Sequence, residues 1–264
     1  MGTIAITGSA SGIGAATADL LTLRGHRVIG VDLSDSAQVT ADLGSPEGRA
    51  EAVTRVTELS GGVLDGLVAC AGVMGLPGRK GSTVVSINYF GSVEVIDGLR
   101  PLLTTGSGVV ALSSNSTTVQ PGWPVELARA CLHGDETAAR ETADALDPLV
   151  AYPASKAALA WWVRRSAVTG DWAGAGLRLN AVAPGLVETP MIAAGRADPT
   201  LAPLLEGFPI PMGRGARPEE IAGVIAFLLA PESSVFCGSV VFADGGTDAL
   251  LRPTDWPAVW NLSL

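Results

Sequence analysis

Short β-branched runs alternate with helical patterns along most of this 264-residue chain, and this alternation constrains the fold more than any other feature. The predicted strands are Thr3–Thr7, Arg27–Asp32, Leu64–Ala69, Gly108–Leu112, Leu177–Val182 and Ser239–Ala243. The predicted helices are Ile13–Arg24, Pro46–Leu59, Asn88–Leu103, Ala151–Val168 and Pro218–Ala230. Nearly continuous apolar strands are typical of a parallel sheet covered on both faces. We therefore predict one α/β domain over residues 1–264, built on a doubly wound parallel sheet.

Two segments interrupt the alternation, and each follows a predicted strand. Residues 115–150 form a long insert with a helical middle, Val125–Leu146, whereas residues 190–217 are rich in Pro, Gly and Met and are typical of a mobile loop. Ligands bind at the carboxyl ends of strands in this class of fold, so both segments are expected to border a binding site. The tail Thr247–Leu264 shows no clear period.

The net charge of −9 at pH 7 argues against nucleic acid or an anionic membrane as a partner. The longest apolar stretch, Ile221–Ala230, is shorter than the roughly 20 residues that span a membrane, and the N-terminal residues lack the basic segment of an export signal. Cys70, Cys131 and Cys237 are widely separated, which favours neither a disulfide framework nor a metal site. A cytoplasmic protein with no resident metal is expected.

A glycine-rich turn follows the first predicted strand, in the run Thr7-Gly8-Ser9-Ala10-Ser11-Gly12-Ile13-Gly14. Gly8 permits a tight turn, Gly12 lets the backbone approach a pyrophosphate, and Gly14 lets the next helix pack on the strand. The N-terminus of that helix then offers free N–H groups to phosphates. An ordinary strand-to-helix turn is the alternative, but the order of strand, turn, helix and strand favours a dinucleotide-binding, Rossmann-type fold.

An acidic residue, Asp32, ends the second predicted strand. A carboxylate there can accept both hydroxyls of an adenosine ribose, and it would repel a 2′-phosphate. No basic residue at Ser11 or Leu33 would compensate, so NAD is predicted over NADP. A turn or cap role for Asp32 is the alternative. Asp42, followed by Leu43, is either an adenine contact or a cap for the following helix.

One of the two tyrosines and one of the two lysines lie four residues apart, in Tyr152-Pro153-Ala154-Ser155-Lys156. That spacing brings a phenol and an ammonium to one helix face, and Pro153 suits the first helical turn. An ammonium stabilises a phenolate and lowers its pKa from about 10, so Tyr152 can move a proton. A surface lysine beside a half-buried tyrosine is the alternative. Lys156 could also reach a ribose hydroxyl.

The order of these motifs resembles that of the short-chain dehydrogenase/reductase family over nearly the whole chain. The shared positions are Thr7-Gly8-x-x-x-Gly12-Ile13-Gly14, Asp32, Asn88, Ser113-Ser114, Tyr152-x-x-x-Lys156 and Pro184-Gly185-Leu186-Val187-Glu188-Thr189. The resemblance implies that Tyr152 is the general acid/base and that Lys156 lowers its pKa and holds the nicotinamide ribose. It implies that Ser114 binds the substrate oxygen, with Ser113 and Ser116 as competing candidates.

The resemblance also assigns residues around the nicotinamide. Asn88 would help to hold a proton-relay water, or would simply cap a helix. Pro184 and Gly185 would shape the nicotinamide pocket, and Thr189 and the Val187 backbone would bind the carboxamide; an ordinary Pro-Gly loop is the alternative.

One motif departs from the family pattern, because Ala69-Cys70-Ala71-Gly72 stands where the family has Asn-Asn-Ala-Gly. Ala71 and Gly72 keep small residues beside the cofactor, whereas the usual asparagine side-chain bonds are lost. Cys70 is expected to be a small core residue.

The long insert between Ser114 and Tyr152 resembles that of one branch, the bacterial 3α-hydroxysteroid dehydrogenase/carbonyl reductases; coniferyl-alcohol-type dehydrogenases are also similar. Further stretches that match are Val85–Gly91, Pro211–Arg214, Asp244–Ala249 and Arg252–Thr254. Family tetramers pack the catalytic helix against its neighbour, and an insert over that face would block the contact. The resemblance therefore implies a homodimer formed through the last helix and the last strand.

Apolar residues of the two interrupting segments are predicted to line a pocket for a bulky alcohol or ketone. They are Met191, Ile192, Leu201, Leu204, Leu205, Phe208, Ile210 and Met212 of the loop and Trp123, Val125 and Leu127 of the insert. An equally weighted alternative is that these residues are ordinary packing residues of an amphipathic segment. At least one of Trp161 and Trp162 is also expected to be a packing residue. The predicted function is NAD-dependent interconversion of a secondary alcohol and a ketone on a bulky hydrophobic substrate. A 3α-hydroxysteroid is one candidate for that substrate. An aromatic or terpenoid alcohol substrate and a catalytically silent dinucleotide sensor or scaffold are the alternatives.

Overall fold

Seven strands form one parallel sheet in the computed structural model, which describes residues 1–256. The strands are β1 (Thr3–Thr7), β2 (Arg27–Asp32), β3 (Val39–Thr40), β4 (Leu64–Ala69), β5 (Leu103–Leu112), β6 (Arg178–Pro184) and β7 (Val240–Ala243). Their order, β3-β2-β1-β4-β5-β6-β7, reverses direction at β1, which places a crevice between the carboxyl ends of β1 and β4. The predicted doubly wound α/β fold is confirmed.

Helices cover both faces of this sheet, and two buried apolar clusters pack beneath them. The helices are α1 (Gly12–Leu23), α2 (Pro46–Ser60), α3 (Gly81–Val85), α4 (Gly91–Leu99), α5 (Ser116–Val119), α6 (Val125–His133), α7 (Glu136–Asp144), α8 (Pro148–Ser166), α9 (Pro190–Ala197), α10 (Ala202–Glu206), α11 (Pro218–Leu229) and α12 (Thr247–Leu251). A π-helical segment, Ser86–Phe90, joins α3 to α4, and short 3₁₀ turns lie at Arg100–Leu102, Ala173–Ala175 and Pro231–Ser233.

All six predicted strands are present. The seventh strand, β3, was not predicted, because two residues are too few to show a period. The start of β5 was also wrong, since the strand begins at Leu103 and not at Gly108. Gly106 lies within β5 with φ 90°, and β5 pairs with β4 on both sides of an irregularity between Leu64 and Gly66.

The predicted helix Asn88–Leu103 was wrong at both ends. Helical backbone begins at Gly81 and runs through the π-helical segment, so Asn88 lies inside it and caps nothing. At the other end, Leu103 already belongs to β5.

Helix α8 begins at Pro148, earlier than predicted, because Asp147 caps it by accepting a hydrogen bond from the Leu149 N–H at 2.9 Å. Pro153 therefore lies in the second turn and not in the first. A proline has no N–H to donate, which frees the Leu149 carbonyl. The Gln120 side-chain amide, from the insert, donates to that carbonyl at 3.3 Å.

The insert folds into α5, α6 and α7, with a break at Gly134, where φ is 82°. Helix α6 packs against α8 and buries Leu127, Ala128 and Cys131 completely. Trp123 of the insert contacts Trp161 of α8, with ring centroids 5.9 Å apart. The insert therefore covers one face of α8.

Trp162, the neighbour of Trp161, is buried and contacts Trp172 at a centroid distance of 6.3 Å. Both adjacent tryptophans are therefore packing residues. The segment 190–217, expected to be a loop, holds the two short helices α9 and α10. Of the tail Thr247–Leu264, α12 is described, and residues 257–264 lie outside the described part of the chain.

Across residues 1–256, no helix combines the length and the apolar character needed to cross a membrane. In the same residues, no group of three or more His, Cys, Asp and Glu side chains is placed to hold a metal ion.

Candidate functional site

A cavity of about 650 Å³ opens at the carboxyl ends of the central strands. Every predicted cofactor residue lines it: Gly8, Ser11, Gly12, Ile13, Gly14, Asp32, Leu33, Asp42, Leu43, Ala71, Gly72, Tyr152, Lys156, Pro184, Gly185, Val187 and Thr189. Of the residues predicted to be catalytic, Ser114, Tyr152 and Lys156 line the cavity, whereas Asn88 is fully buried behind it.

The glycine-rich turn has a shape that side chains would prevent. Gly8 and Gly12 have φ values of 70° and 54°, which favour glycine. A Cβ at Gly8 would lie 2.8 Å from the Ala71 backbone nitrogen, and a Cβ at Gly14 would overlap the Gly8 carbonyl oxygen. Within the described chain, the Ser11 side chain makes no cap hydrogen bond to α1. The first N–H groups of α1 therefore remain available for an anion, which fits a pyrophosphate.

The Asp32 carboxylate is held by two backbone groups at the edge of the cavity. One oxygen accepts a hydrogen bond from the Ala10 N–H at 2.9 Å, and the other accepts one from the Ser34 N–H at 3.1 Å. Asp32 thus serves as a turn residue and also lines the cavity, so its carboxylate is oriented before any ribose arrives.

The interpretation of Asp42 as a helix cap was wrong. Helix α2 is capped by Ser45, whose hydroxyl accepts from the Gly48 N–H at 3.1 Å. Asp42 instead accepts from the Gly44 N–H at 2.9 Å and lines the cavity beside Leu43.

Thr7 holds the backbone of the Ala69–Gly72 motif. Its hydroxyl oxygen accepts hydrogen bonds from the N–H groups of Cys70 and Ala71, both at 3.1 Å. Cys70 is partly buried and packs against the smaller apolar cluster, as expected for a small packing residue, and it also borders the cavity. Burial raises the pKa of its thiol to about 12, so the thiol stays protonated.

The three serines after β5 have different surroundings. The Ser113 hydroxyl donates to the Lys156 carbonyl at 2.9 Å, which occupies it in holding α8 against β5. The Ser116 hydroxyl is buried and has no hydrogen-bond partner among the described residues. All three serines line the cavity, and Ser114 differs from the others in its side-chain hydrogen bond with the Tyr152 phenol; it also accepts from the Ser116 N–H at 3.1 Å. This geometry favours Ser114 over its two neighbours.

Tyr152 and Lys156 meet at the cavity from one face of α8. Lys156 is buried, and its ammonium donates to the Leu112 carbonyl at 2.7 Å. Burial lowers the pKa of Lys156 to about 8.

The pKa of Tyr152 shifts against the sequence-based expectation. Burial of the phenol raises this pKa, and the hydrogen bond with Ser114 opposes only part of the rise. The lowering of this pKa by Lys156 that the sequence predicted is not found in the protein alone, where burial dominates.

Asn88 fixes the backbone that follows β4. Its side-chain oxygen accepts from the Val73 N–H at 2.8 Å, and its amide donates to the Val73 carbonyl at 3.0 Å and to the Ser155 hydroxyl at 3.3 Å. A Cβ at Gly72 would lie 3.2 Å from the Asn88 oxygen and 3.3 Å from the Lys156 nitrogen. Asn88 and Lys156 thus both lie directly behind the small residue that lines the cavity.

The segment after β6 closes the cavity opposite the glycine-rich turn. A Cβ at Gly185 would lie 2.8 Å from the Asp244 Cα, so only glycine fits at this position. The Thr189 hydroxyl donates to the Val187 carbonyl at 3.1 Å and accepts from the Ile192 N–H, which caps α9. The stretch therefore has a defined shape and is not an ordinary loop.

The far end of the cavity is apolar. Six predicted loop residues line it: Met191, Ile192, Leu201, Leu204, Leu205 and Phe208. The other five predicted lining residues were wrong: Ile210 and Met212 line a second cavity, Leu127 is in the core, Val125 is exposed and Trp123 packs on Trp161. The lining residues that were not predicted from the sequence include Val73, Met74, Gly75, Val119, Gln120, Pro121 and Leu149. The first six follow soon after the ends of β4 and β5, where ligands bind in this class of fold, so their positions in the sequence could have indicated them.

Charge is confined to the cofactor end of the cavity. Within residues 1–256, the charged side chains that line it are Asp32, Asp42 and Lys156. An ionised group at the far end would lose its hydration without gaining a partner. The far end therefore suits an uncharged, largely apolar molecule.

Two family models match the chain. The model described as short chain dehydrogenase matches residues 2–125, and the one described as enoyl-(acyl carrier protein) reductase matches residues 136–248.

Individual relatives match over almost their full length. The 3-alpha-hydroxysteroid dehydrogenase/carbonyl reductase of Comamonas testosteroni is 42% identical, over 97% of this chain and 100% of the relative. The coniferyl-alcohol dehydrogenase of a Pseudomonas species is 31% identical, over 92% of this chain and 95% of the relative. The crystal structure of the 3-alpha-hydroxysteroid dehydrogenase from Pseudomonas sp. B-0831, complexed with NADH, is 47% identical and superposes with a TM-score of 0.91, covering 96% of this chain and 99% of that one.

Proposed function

This chain belongs to the short-chain dehydrogenase/reductase family, and we propose that it is an NAD-dependent enzyme that interconverts a secondary alcohol and a ketone on a bulky, uncharged substrate. The observation that carries the proposal is the convergence of Ser114, Tyr152 and Lys156 on one cavity that also contains the glycine-rich turn. This arrangement argues against a silent sensor, which has no use for a phenol placed beside a substrate pocket.

Pro184, Gly185, Val187 and Thr189 would hold a nicotinamide ring, which would supply the hydride acceptor or donor for the alcohol carbon. Ser114 holds the substrate oxygen by a hydrogen bond, and Tyr152 takes the hydroxyl proton during oxidation and returns it during reduction. The phenol needs help to ionise, because its burial raises its pKa. The Lys156 ammonium, which the Leu112 carbonyl holds in place, supplies a positive charge on the same helix face.

We assign NAD rather than NADP because of Asp32. Its carboxylate is held toward the cavity by the Ala10 and Ser34 N–H groups, where it can accept the ribose hydroxyls. Neither Ser11 nor Leu33 carries a charge that could neutralise a 2′-phosphate.

We propose a 3α-hydroxysteroid or a molecule of similar bulk as the substrate. The apolar far end and the volume of the cavity support it, as does the name of the Comamonas testosteroni relative. An aromatic alcohol is the second candidate, supported by the coniferyl-alcohol dehydrogenase relative. A carboxylate substrate fits less well, because the far end offers no cation among the described residues.

We propose a homodimer formed through α11 and β7. Phe227 and Phe242 are 41% and 36% exposed on this side of the protein, and a second copy would cover them. The insert covers the face of α8 that the second contact of a tetramer would need. Light scattering is expected to give the mass of two chains, and a mass of four chains would contradict the proposal.

We also propose a cytoplasmic location, which is supported by three cysteines that form no disulfide.

The experiment that tests the function is a panel of neutral hydroxysteroids, aryl alcohols, short alcohols and hydroxy acids, each followed by NADH or NADPH absorbance with NAD and NADP in parallel. The proposal expects the highest kcat/KM for a bulky neutral secondary alcohol with NAD. A preference for hydroxy acids would contradict the substrate assignment, and a preference for NADP would contradict the cofactor assignment.

A further inference from the structure

The insert contributes a carboxylate to a buried ionic network of the main fold. Arg49 of α2 is only 2% exposed. Its guanidinium donates to Glu94 of α4 at 2.7 Å and forms a two-bond ion pair with Glu136, the first residue of α7. Glu136 is 18% exposed, whereas Glu94 is 46% exposed. The insert therefore supplies the more deeply buried of the two counter-ions, and a buried guanidinium depends strongly on such a partner.

The same guanidinium reaches the wall of the cofactor cavity. Arg49 donates to the Leu43 carbonyl at 3.3 Å, and Leu43 lines the cavity next to Asp42. With Asp32 close to the adenosine ribose, this is the adenine side of the proposed dinucleotide site. The Leu43 backbone is thus connected to the insert through a single buried side chain.

A second arm of the network reaches the π-helical segment. Glu136 accepts a hydrogen bond from the Ser86 hydroxyl at 2.6 Å, and that hydroxyl accepts one from Arg140 at 2.6 Å. Ser86 is fully buried and begins the π-helical segment that carries Asn88. Two side chains of one insert helix therefore hold this segment at its first residue.

We propose that Glu136 is a positioning residue for the dinucleotide, acting through Arg49 to hold the Leu43 wall of the cavity. Glu136 does not line the cavity and so touches neither cofactor nor substrate. Without its carboxylate, Arg49 keeps only the half-exposed Glu94, and its guanidinium is no longer fixed toward the Leu43 carbonyl. The insert then has a role in cofactor affinity in addition to covering α8. This inference rests on the proposed function, because it requires a dinucleotide in the cavity.

The test compares Glu136→Gln with Glu141→Gln, an exposed glutamate on the same helix. Calorimetric titration measures the Kd of each protein for NAD, for AMP and for nicotinamide mononucleotide. Coupling through such a network is worth about a twofold to thirtyfold change in affinity. We expect Glu136→Gln to weaken NAD and AMP binding by the same factor within that range and to leave nicotinamide mononucleotide unchanged. Glu141→Gln is expected to match the wild type for all three ligands.

Three outcomes contradict the inference: unchanged Kd values in Glu136→Gln with only a lower Tm, equal weakening of AMP and of nicotinamide mononucleotide, or equal effects of the two variants. A wild-type protein that binds neither NAD nor AMP would instead overturn the proposed function, so the two failures are distinguishable. If Glu136→Gln does not fold, Ser86→Ala replaces it, because it removes one hydrogen-bond donor to Glu136 and keeps the ion pair. A smaller shift in AMP affinity in the same direction is then expected, and its absence contradicts the inference.

Discussion

Replacing Asp32 by alanine is expected to remove the preference for NAD over NADP. In the wild type, two backbone N–H groups orient the Asp32 carboxylate at the cavity edge. Two unit charges about 4 Å apart interact by about 1 kcal/mol in water and by about 4 kcal/mol at an effective dielectric constant near 20. Because Asp32 is half-buried, repulsion of a 2′-phosphate falls between these limits. That range corresponds to about a fivefold to thousandfold discrimination against NADP.

The same substitution also removes the acceptor for the ribose hydroxyls of NAD. Hydrogen bonds to a charged group contribute about 1.5–3 kcal/mol each, so kcat/KM with NAD is expected to fall at least about tenfold. The free energies of the two effects add, so their factors multiply. The ratio of kcat/KM for NAD to kcat/KM for NADP is therefore expected to fall at least about fiftyfold.

The assay is initial-rate kinetics with both cofactors, with Asp35→Asn as the control because it removes an equal charge from an exposed neighbouring position. Asp35→Asn is expected to keep the wild-type ratio. An unchanged ratio in Asp32→Ala would refute the placement of this carboxylate at the ribose.

Three further expectations follow from the burial of charged groups and thiols. The pKa of Lys156 is about 8 in the folded protein and about 10.4 in the unfolded chain. Below about pH 8 the lysine is charged in both states, whereas between about pH 8 and pH 10.4 only the unfolded chain keeps the proton. Urea unfolding should therefore show the wild type gaining stability relative to Lys156→Met as pH rises through that window; a constant difference would contradict the shift. Arg178, 8% exposed, donates to the carbonyls at the end of α11, so Arg178→Met is expected to cost about 3 kcal/mol in urea unfolding, whereas the exposed Arg164→Met stays within about 0.5 kcal/mol of the wild type. A thiol reagent is expected to label the exposed Cys237 in the native protein much faster than the partly buried Cys70, whose pKa is raised to about 12, so labelling of native Cys237→Ser at the wild-type rate would contradict this expectation.

The parts of the site that could be predicted from sequence lie within single elements or at their ends. The Gly8–Gly14 turn joins β1 directly to α1, and Asp32 ends the next strand, so the spacing alone brings them to one edge of the sheet. Tyr152 and Lys156 share a helix face because they are four residues apart. Their pKa values could not be predicted in the same way, because desolvation depends on what packs over them.

The parts that could not be predicted depend on how distant segments pack. Which insert residues reach the cavity depends on the rotation of α5 and α6 over α8, and for this reason Val119 lines the cavity while Trp123 does not. The ion pair between Arg49 and Glu136 joins residues 87 positions apart and has no sequence signature. The support that Thr7 gives to Cys70 likewise arises only when β1 pairs with β4.

The role of Tyr152 as general acid/base is tested by comparing Tyr152→Phe with the wild type. The substitution keeps the ring in its place on α8 and removes only the hydroxyl that moves the proton. Calorimetric titration is expected to show NAD binding close to that of the wild type, while kcat for the best alcohol falls by about 10²- to 10⁴-fold, the usual contribution of a general acid/base. Equal kcat values in the two proteins would contradict the account, because proton transfer would then depend on another group.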